Sequence, residues 1–265
     1  MNTEKTITLQ AKNSLKNNWT VLITALLFIF ASVLAISVLQ SLILIAMRWV
    51  DTTTGDPKSG RELYVNISDI VFIAVLYLIS PLVNGFFKMV YTTANNYKPE
   101  FYELFFYFKG FSRYFKTLFL NLFFFIIILF CAFAFDFGYV VNLIIDSLFN
   151  GSEEIGAVIT EGIFNIFFMG ISFILSSFMY LLFINYSAFM YADNCNKGVF
   201  SCIGKGIAMG FKNFANSLKL FFRFIGWFTL CFFIIPALYV LPYISATFAT
   251  SAKWLISLEK GRVSL

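Results

Sequence analysis

Residues 17–47 read NNWTVLITALLFIFASVLAISVLQSLILIAM, a stretch of 31 residues without a single Asp, Glu, Lys or Arg. A helix needs about 20 residues to cross a hydrocarbon core of about 30 Å, and a charge at the centre of that core is costly. This stretch is long enough to cross a membrane, and it is too long for the apolar region of a signal peptide. We therefore expect an uncleaved transmembrane helix here.

Four more charge-free stretches follow, at residues 70–87, 117–135, 162–192 and 224–252. The chain has 265 residues, of which 60% are hydrophobic and 12% are charged. Soluble domains carry about twice that charged fraction, so this composition excludes a water-soluble globule. The net charge of +5 comes from basic residues scattered between the apolar stretches. That distribution indicates membrane topology and argues against nucleic acid as a partner.

The distribution of Lys and Arg predicts the orientation of the spans. The six segments that flank the stretches contain 3, 3, 5, 0, 5 and 3 of these residues in chain order. Because cytoplasmic segments are enriched in Lys and Arg, the third and fifth segments belong inside and the fourth belongs outside. The basic C-terminal tail also prefers the inside, which requires the last stretch to cross twice, with a turn at Leu241-Pro242-Tyr243. The alternative is one long helix over residues 224–252.

The predicted fold class is an all-α integral membrane protein, with six transmembrane helices in three hairpins and both termini in the cytoplasm. Amphipathic interfacial helices precede spans 1, 3 and 5. The predicted spans cover residues 19–47, 70–91, 116–135, 162–191, 219–240 and 242–258. The predicted interfacial segments cover residues 3–18, 100–115 and 197–218. The three units either form an internal repeat or resemble each other only because each has a basic loop before a helix.

The clearest interfacial segment covers residues 199–219, where apolar residues recur every three or four positions and lysines every seven. The apolar residues are Phe200, Ile203, Ile207, Phe211, Phe214 and Leu218. The lysines are Lys205, Lys212 and Lys219. A helix with this pattern lies at the membrane surface with its apolar stripe in the acyl region. We therefore expect the three lysines to contact anionic lipid headgroups.

Three asparagines lie within the predicted spans, where ionisable residues are almost absent. Asn84, Asn121 and Asn185 all fall in the cytoplasmic halves of their helices. They either line a polar pocket open to the inner leaflet or join neighbouring helices by hydrogen bonds. Interhelical bonding is the commoner role of such residues, and the pocket is the functional hypothesis.

The sequence predicts no catalytic residue, no metal site and no cofactor. It contains no His, which removes the commonest general base and the commonest transition-metal ligand. The GxSxG, HExxH, Walker and Rossmann patterns are absent from the sequence. The four cysteines show no metal-binding spacing and are Cys131, Cys195, Cys202 and Cys231. We therefore expect a protein without enzymatic activity.

Several motifs resemble a bacterial membrane family called domain of unknown function 975. They are YSAFMYADN at 186–194, Gly226-Trp227, Pro242-Tyr243 and the opening LKNNW at 15–19. The resemblance covers most of the chain and implies a multi-pass protein of the bacterial cytoplasmic membrane with no assigned activity. It is also distantly similar to the non-catalytic membrane domain of some glycerophosphodiester phosphodiesterases. The chain departs from the family pattern at Cys195, where Pro is usual, and at Gly206, where Ser is usual.

The resemblance singles out five positions as structural: Asp193, Gly226, Trp227, Pro242 and Tyr243. We expect Asp193 to cap the helix that starts near Lys197, or to pair with a lysine of a neighbouring segment. The predicted function is a non-enzymatic scaffold or accessory module that engages anionic lipid, a protein partner or a second copy of itself. The alternative is a transporter or exporter of an apolar or lipid-like substrate.

Overall fold

The computed structural model describes residues 3–51, 55, 57–126, 185–194, 198–230, 234–259 and 261. Regular structure in these residues is helical, which confirms the all-α class for this part of the chain. The elements are α1 (Thr3–Leu15), α2 (Trp19–Ala46), α3 (Glu62–Ile79), α4 (Pro81–Ala94), a 3₁₀ helix (Phe101–Phe108), α5 (111–126), α6 (Asn185–Asp193), α7 (Val199–Lys212), α8 (Phe214–Leu230) and α9 (Ile234–Glu259). Most of the predicted fourth span, 162–191, and the end of the third lie outside the described residues.

Helices α2 and α3 form an antiparallel hairpin. The Gln40 amide, near the end of α2, donates a hydrogen bond of 2.7 Å to the Asp69 carboxylate, near the start of α3. At the connection, the rings of Trp49 and Tyr64 stack with their centroids 5.2 Å apart. The first predicted span ends at residue 47, and α2 ends one residue earlier, at Ala46. The two ends agree because the length of the charge-free stretch sets the length of the helix.

Two helical stretches of the described chain, Trp19–Ala46 and Glu62–Ala94, are long and apolar enough to cross a membrane. Many of their apolar side chains are exposed. Leu34, Leu39 and Leu42 of α2, for example, are 60–65% exposed. A core helix of a soluble protein would bury such leucines. The α2–α3 hairpin thus has the length and the apolar surface of membrane-spanning structure.

The predicted second span, 70–91, is divided into two helices at Ser80. Pro81 occupies the first position of α4, where its missing N–H and fixed φ angle are tolerated. The two helices have different surroundings. No residue of α3 is buried, whereas eleven of the fourteen residues of α4 are buried. The chain therefore passes at this break from the exposed hairpin into a packed half of the molecule.

The packed half contains α1, α4, the 3₁₀ helix, α6, α7 and the C-terminal part of α9. Helix α1 packs against α9 and buries one stripe, Ile7, Ala11 and Leu15, spaced four residues apart. Helix α4 and the 3₁₀ helix approach so closely at Gly85 that an added Cβ atom would lie 2.7 Å from the Leu104 carbonyl carbon. Only glycine fits this crossing.

The predicted turn at Leu241-Pro242-Tyr243 is wrong, because α9 runs without interruption from Ile234 to Glu259 with Pro242 inside it. A hairpin is nevertheless present. The Phe224 and Tyr243 rings of α8 and α9 lie 5.4 Å apart, and α8 ends at Leu230. This contact places Tyr243 inside α9, packed against α8, and not in a turn. The predicted helices 219–240 and 242–258 correspond to α8 and α9 with different bounds.

Each predicted interfacial segment also has different bounds in the structure. Helix α1 ends at Leu15, the segment 100–115 is a 3₁₀ helix followed by the first turn of α5, and the segment 197–218 is broken at Asn213. The motif Asn-Ser-Leu-Lys occurs before the first and fifth predicted spans, at residues 13–16 and 216–219. The first copy straddles the end of α1, and the second lies inside α8. The two copies of the motif therefore have different local structures.

Candidate functional site

Helix α7 presents two kinds of side chain to its surroundings. Phe200 and Phe211 are 76% and 61% exposed, and their spacing of eleven residues places them on one face. Lys205 and Lys212 are also exposed and lie on a neighbouring face. An exposed aromatic face beside a cationic face is typical of a helix at a membrane surface.

The two α7 lysines border a groove of about 230 Å³ between α7 and α9. We call it the lysine groove, and it is lined by Lys205, Ala208, Met209, Lys212, Leu255 and Leu258. The lining combines two ammonium groups with apolar side chains. This combination suits an amphipathic ligand that carries a negative charge, because the charge can meet the lysines while the chain contacts the leucines.

The third face of α7 packs on α6 through glycine. An added Cβ atom on Gly206 would lie 2.5 Å from the backbone N and Cα atoms of Ser187. Both residues are buried. The close approach orients α7, and so determines which side chains remain exposed.

Lys219 does not belong to the lysine groove. The chain breaks at Asn213, and Lys219 lies on α8 with its side chain exposed. The spacing of seven residues predicted one helix for all three lysines, and that prediction is wrong for Lys219. The structure brings Lys205 and Lys212 together and places the third lysine elsewhere.

Asn84 and Asn121 meet, although 37 residues separate them in the sequence. The Asn84 side chain donates a hydrogen bond of 2.6 Å to the Asn121 side chain, which donates one of 2.6 Å to the Ser80 hydroxyl. The Asn84 Oδ1 atom is buried and has no hydrogen-bond partner within the described residues. The first two predicted asparagines therefore do form interhelical hydrogen bonds.

These asparagines also line a cavity of about 380 Å³, which we call the asparagine cavity. Its walls are otherwise apolar apart from Tyr77 and Ser80, and its lining is Ile73, Leu76, Tyr77, Ser80, Val83, Asn84, Phe87, Asn121, Phe124 and Phe125. Asn185 is not part of this lining. It begins α6, is 2% exposed, and its Oδ1 atom has no hydrogen-bond partner among the described residues.

A buried polar network that the sequence did not predict joins α6, α8 and α9. The Tyr186 hydroxyl lies 2.9 Å from the Ser217 hydroxyl and 3.2 Å from the Ser251 hydroxyl, and it accepts a hydrogen bond of 3.1 Å from the Asn213 amide. All four residues are at most 5% exposed. Tyr186 and Ser217 stand in motifs that the sequence singles out, but nothing in those motifs predicted that they would meet.

Glu103 is the half-buried acid of the 3₁₀ helix, and it faces α4. Burial raises the pKa of its carboxyl above the ordinary value of 4.5, while a hydrogen bond from the Thr92 hydroxyl and the charge of Lys88 act in the opposite direction. The Lys88 ammonium itself lies 4.0 Å from the Phe106 ring centre, a favourable cation–π contact. The described residues contain no group of three acidic, Cys or His side chains that could hold a metal ion.

Comparison with known protein families identifies the family of this chain. A family model described as "Protein of unknown function (DUF975)" matches residues 1–251. The chain belongs to this family. No curated protein and no solved structure matches the chain.

The structure assigns contacts to several positions that the DUF975 resemblance marks. Asp193 ends α6 and accepts a hydrogen bond of 3.0 Å from the Tyr91 hydroxyl. It does not cap the next helix, because the residue before α7 is Gly198 and no side chain caps α7 there. The capping role expected for Asp193 is not seen at Gly198, and the bond from Tyr91 joins α6 to α4. The alternative role, pairing with a lysine of a neighbouring segment, stays a prediction.

The remaining DUF975 positions lie on the α8–α9 hairpin. Pro242 and Tyr243 are inside α9, and Tyr243 packs edge-on against Phe224. Trp227 is 40% exposed, and a Cβ atom on Gly226 would meet nothing within 4 Å among the described residues. Gly226 is therefore not a close-packing glycine among the described residues, in contrast to Gly206.

Proposed function

We propose that this DUF975 protein is a non-enzymatic membrane module that engages anionic lipid headgroups through α7. The observation that carries the proposal is the lysine groove, with Lys205 and Lys212 above an apolar floor and with Phe200 beside them on the exposed face. The apolar α2–α3 hairpin supports a location in the membrane. Such a module would act as a scaffold or accessory protein, held in place by this surface, by a protein partner or by a second copy of the chain.

The proposed topology is that of the sequence prediction, with corrected helix bounds. It has six spans in the bacterial cytoplasmic membrane and both termini inside. In this arrangement α7 and the basic segments lie at the inner surface, where anionic lipid makes the potential negative. Lys205 and Lys212 then face the headgroups and Phe200 and Phe211 enter the acyl boundary.

Native mass spectrometry of nanodiscs that contain phosphatidylglycerol and phosphatidylcholine tests the proposal. Each Lys near such a surface contributes about 1 kcal/mol, so the Lys205→Gln, Lys212→Gln double variant should lose the preference for retained phosphatidylglycerol by about 30-fold. The matched control removes two exposed charges from the α2–α3 connection, Lys58→Gln and Arg61→Gln, and should keep the preference. Equal losses in both variants would sink the proposal, since the effect would then be one of net charge. Lipid hydrolysis or modification by the purified protein would overturn its non-enzymatic part.

The asparagine cavity supports a second candidate, a transporter of an apolar or lipid-like substrate. A volume of about 380 Å³ falls within the range of small-molecule sites, which are mostly apolar with a few oriented polar groups. The amide groups of Asn84 and Asn121 would orient the polar end of the substrate. Proteoliposomes with a fluorescent phospholipid test this function: the Asn84→Leu, Asn121→Leu variant should abolish redistribution, and Asn66→Leu on the exposed face of α3 should not. No redistribution by the wild-type protein would remove this candidate.

A further inference from the structure

A second polar cavity lies between α1, the end of α4 and α9, away from the lysine groove. Its volume is about 440 Å³, and we call it the Lys253 cavity. Six of its eight lining residues are amide, hydroxyl or ammonium side chains. The lining consists of Gln10, Asn13, Ala94, Asn96, Thr250, Lys253, Trp254 and Ser257.

The lining of the Lys253 cavity is positively charged. Lys253 supplies this charge, and the lining includes no Asp or Glu. The Lys253 ammonium donates a hydrogen bond of 2.9 Å to the Ala94 carbonyl oxygen. An ammonium group has three N–H donors, so two remain for a ligand. A half-buried cation without a carboxylate in its cavity favours an anionic occupant.

The bond to Ala94 has a structural explanation, which accounts for only part of the site. Helix α4 ends in a Schellman turn, with Asn96 at φ 63°, its N–H bonded to the Thr93 carbonyl, and the Tyr97 N–H bonded to the Thr92 carbonyl. Lys253 satisfies a further terminal carbonyl and lies at the negative end of the helix dipole. This capping explains the position of the ammonium, but it requires neither the cavity nor the amides of Gln10 and Asn13.

The size and the donors of the cavity indicate the class of ligand. The volume is many times the roughly 30 Å³ that a water molecule occupies, so there is room for an anion with a polar organic group attached. Amide, hydroxyl and ammonium donors around one space suit an anion with several acceptor oxygens. Phosphate esters have both features.

We propose that the Lys253 cavity binds a phosphate ester, with Lys253 as the charge partner and the α1 amides of Gln10 and Asn13 as additional donors. The ester is the headgroup of a phospholipid or a soluble compound such as glycerol 3-phosphate, and the chemistry of recognition is the same for both. The site is separate from the α7 surface and does not depend on the function proposed for it.

The test uses the full-length protein in micelles of dodecyl maltoside, a detergent that carries no phosphate ester. One arm titrates glycerol 3-phosphate and measures binding by calorimetry, and the other adds phosphatidylglycerol to the micelles and counts retained lipid by native mass spectrometry. Lys253→Gln should weaken the binding that is observed by about tenfold or more, which is the effect of losing a hydrogen bond to a charged group. Lys253→Arg should retain most of it, and Lys58→Gln, an exposed lysine of the α2–α3 connection, should not change it.

A second variant separates ligand binding from capping of α4. Gln10→Leu with Asn13→Leu removes exposed amides of α1, leaves the Lys253–Ala94 bond in place, and should also weaken binding. Binding in the titration identifies a soluble ester, and binding in the lipid arm alone identifies a headgroup. Failure of both probes to bind, or full binding by the Gln10→Leu, Asn13→Leu variant, would overturn the proposal, even if Lys253→Gln does not fold.

Discussion

The contact between α6 and α7 allows a sharp test of the packing that orients the α7 surface. At Gly206 an added Cβ atom would lie 2.5 Å from the backbone N and Cα atoms of Ser187, whereas ordinary contacts begin at 3.4 Å. The Gly206→Ala variant must therefore separate the two helices by about 0.9 Å, the difference between those distances. Two of the three atoms in the way, N and Cα of Ser187, belong to the backbone, so rotation of the Ser187 side chain alone does not relieve the clash.

The expected magnitude follows from two opposing effects. Overpacking of a core costs about 1–3 kcal/mol, while replacing Gly by Ala inside a helix gains about 1 kcal/mol. Gly204 provides the matched control, because it lies on the same helix and an added Cβ atom there meets nothing within 4 Å. Both substitutions share the gain in helix propensity. Gly206→Ala should therefore be less stable than Gly204→Ala by about 1–3 kcal/mol.

Two measurements in detergent micelles check this expectation. Unfolding followed by tryptophan fluorescence gives the stability of each variant. Modification of the buried Cys202 thiol of α7 reports on local separation of the helices, in a background where Cys131, Cys195 and Cys231 are replaced by Ala. Gly206→Ala should unfold earlier and expose Cys202 faster. If the two alanine variants unfold together and react at equal rates, the close packing of α6 against α7 is refuted.

Three further predictions concern other contacts. Tyr186→Phe should destabilise the protein by about 1–3 kcal/mol because it removes a buried hydroxyl that serves three partners, whereas Tyr239→Phe at a half-exposed position should have little effect on the unfolding transition. Burial raises the pKa of the Glu103 carboxyl. The protonated carboxyl therefore contributes most to stability at acidic pH, and this contribution is lost as the pH rises above 4.5 through the raised pKa. Glu103→Gln should flatten the pH profile of unfolding. In a background without native cysteines, Phe224→Cys with Tyr243→Cys should react with a short bifunctional thiol reagent, and Phe222→Cys with Tyr243→Cys should not; the reverse pattern would contradict the register of the α8–α9 hairpin.

Features that depend on neighbouring residues in the sequence were predictable. The first charge-free stretch, residues 17–47, specified α2 to within two residues at either end, because a bilayer favours an apolar helix of about this length. Pro81 occupies the first position of α4, where proline is favoured, although the predicted second span, 70–91, ran through it. Pro242 led to a wrong prediction, because a proline that removes one backbone hydrogen bond can still be held inside a well-packed helix. The pairing of α8 with α9 depends instead on contacts such as Phe224 with Tyr243.

The candidate sites depend on residues that are distant in sequence, and this limited their prediction. The type of residue at Asn84 and Asn121 indicated interhelical bonding, but not that these two would bond to each other while Asn185 lies elsewhere. The carboxylate of Asp193 was expected to act on the next helix and instead bonds to Tyr91, 102 residues away. A single sequence records which groups need partners, and only the packing of helices determines which partners they find.

An amphipathic pattern in a membrane protein can reflect packing against protein or contact with lipid. The structure indicates a different explanation for each of two predicted interfacial segments. The stripe of α1, from Ile7 to Leu15, is buried against the rest of the packed half, so its periodicity reflects contact with protein. Helix α7 buries a different face from the one that carries Phe200 and Phe211, and these two rings remain exposed. A helix that has already satisfied its packing face and still exposes large aromatic rings beside lysines has an apolar surface left for lipid. For this reason the proposed headgroup contacts belong to α7, and removing the two exposed lysines of α1, Lys5 and Lys12, should change lipid preference less than removing Lys205 and Lys212.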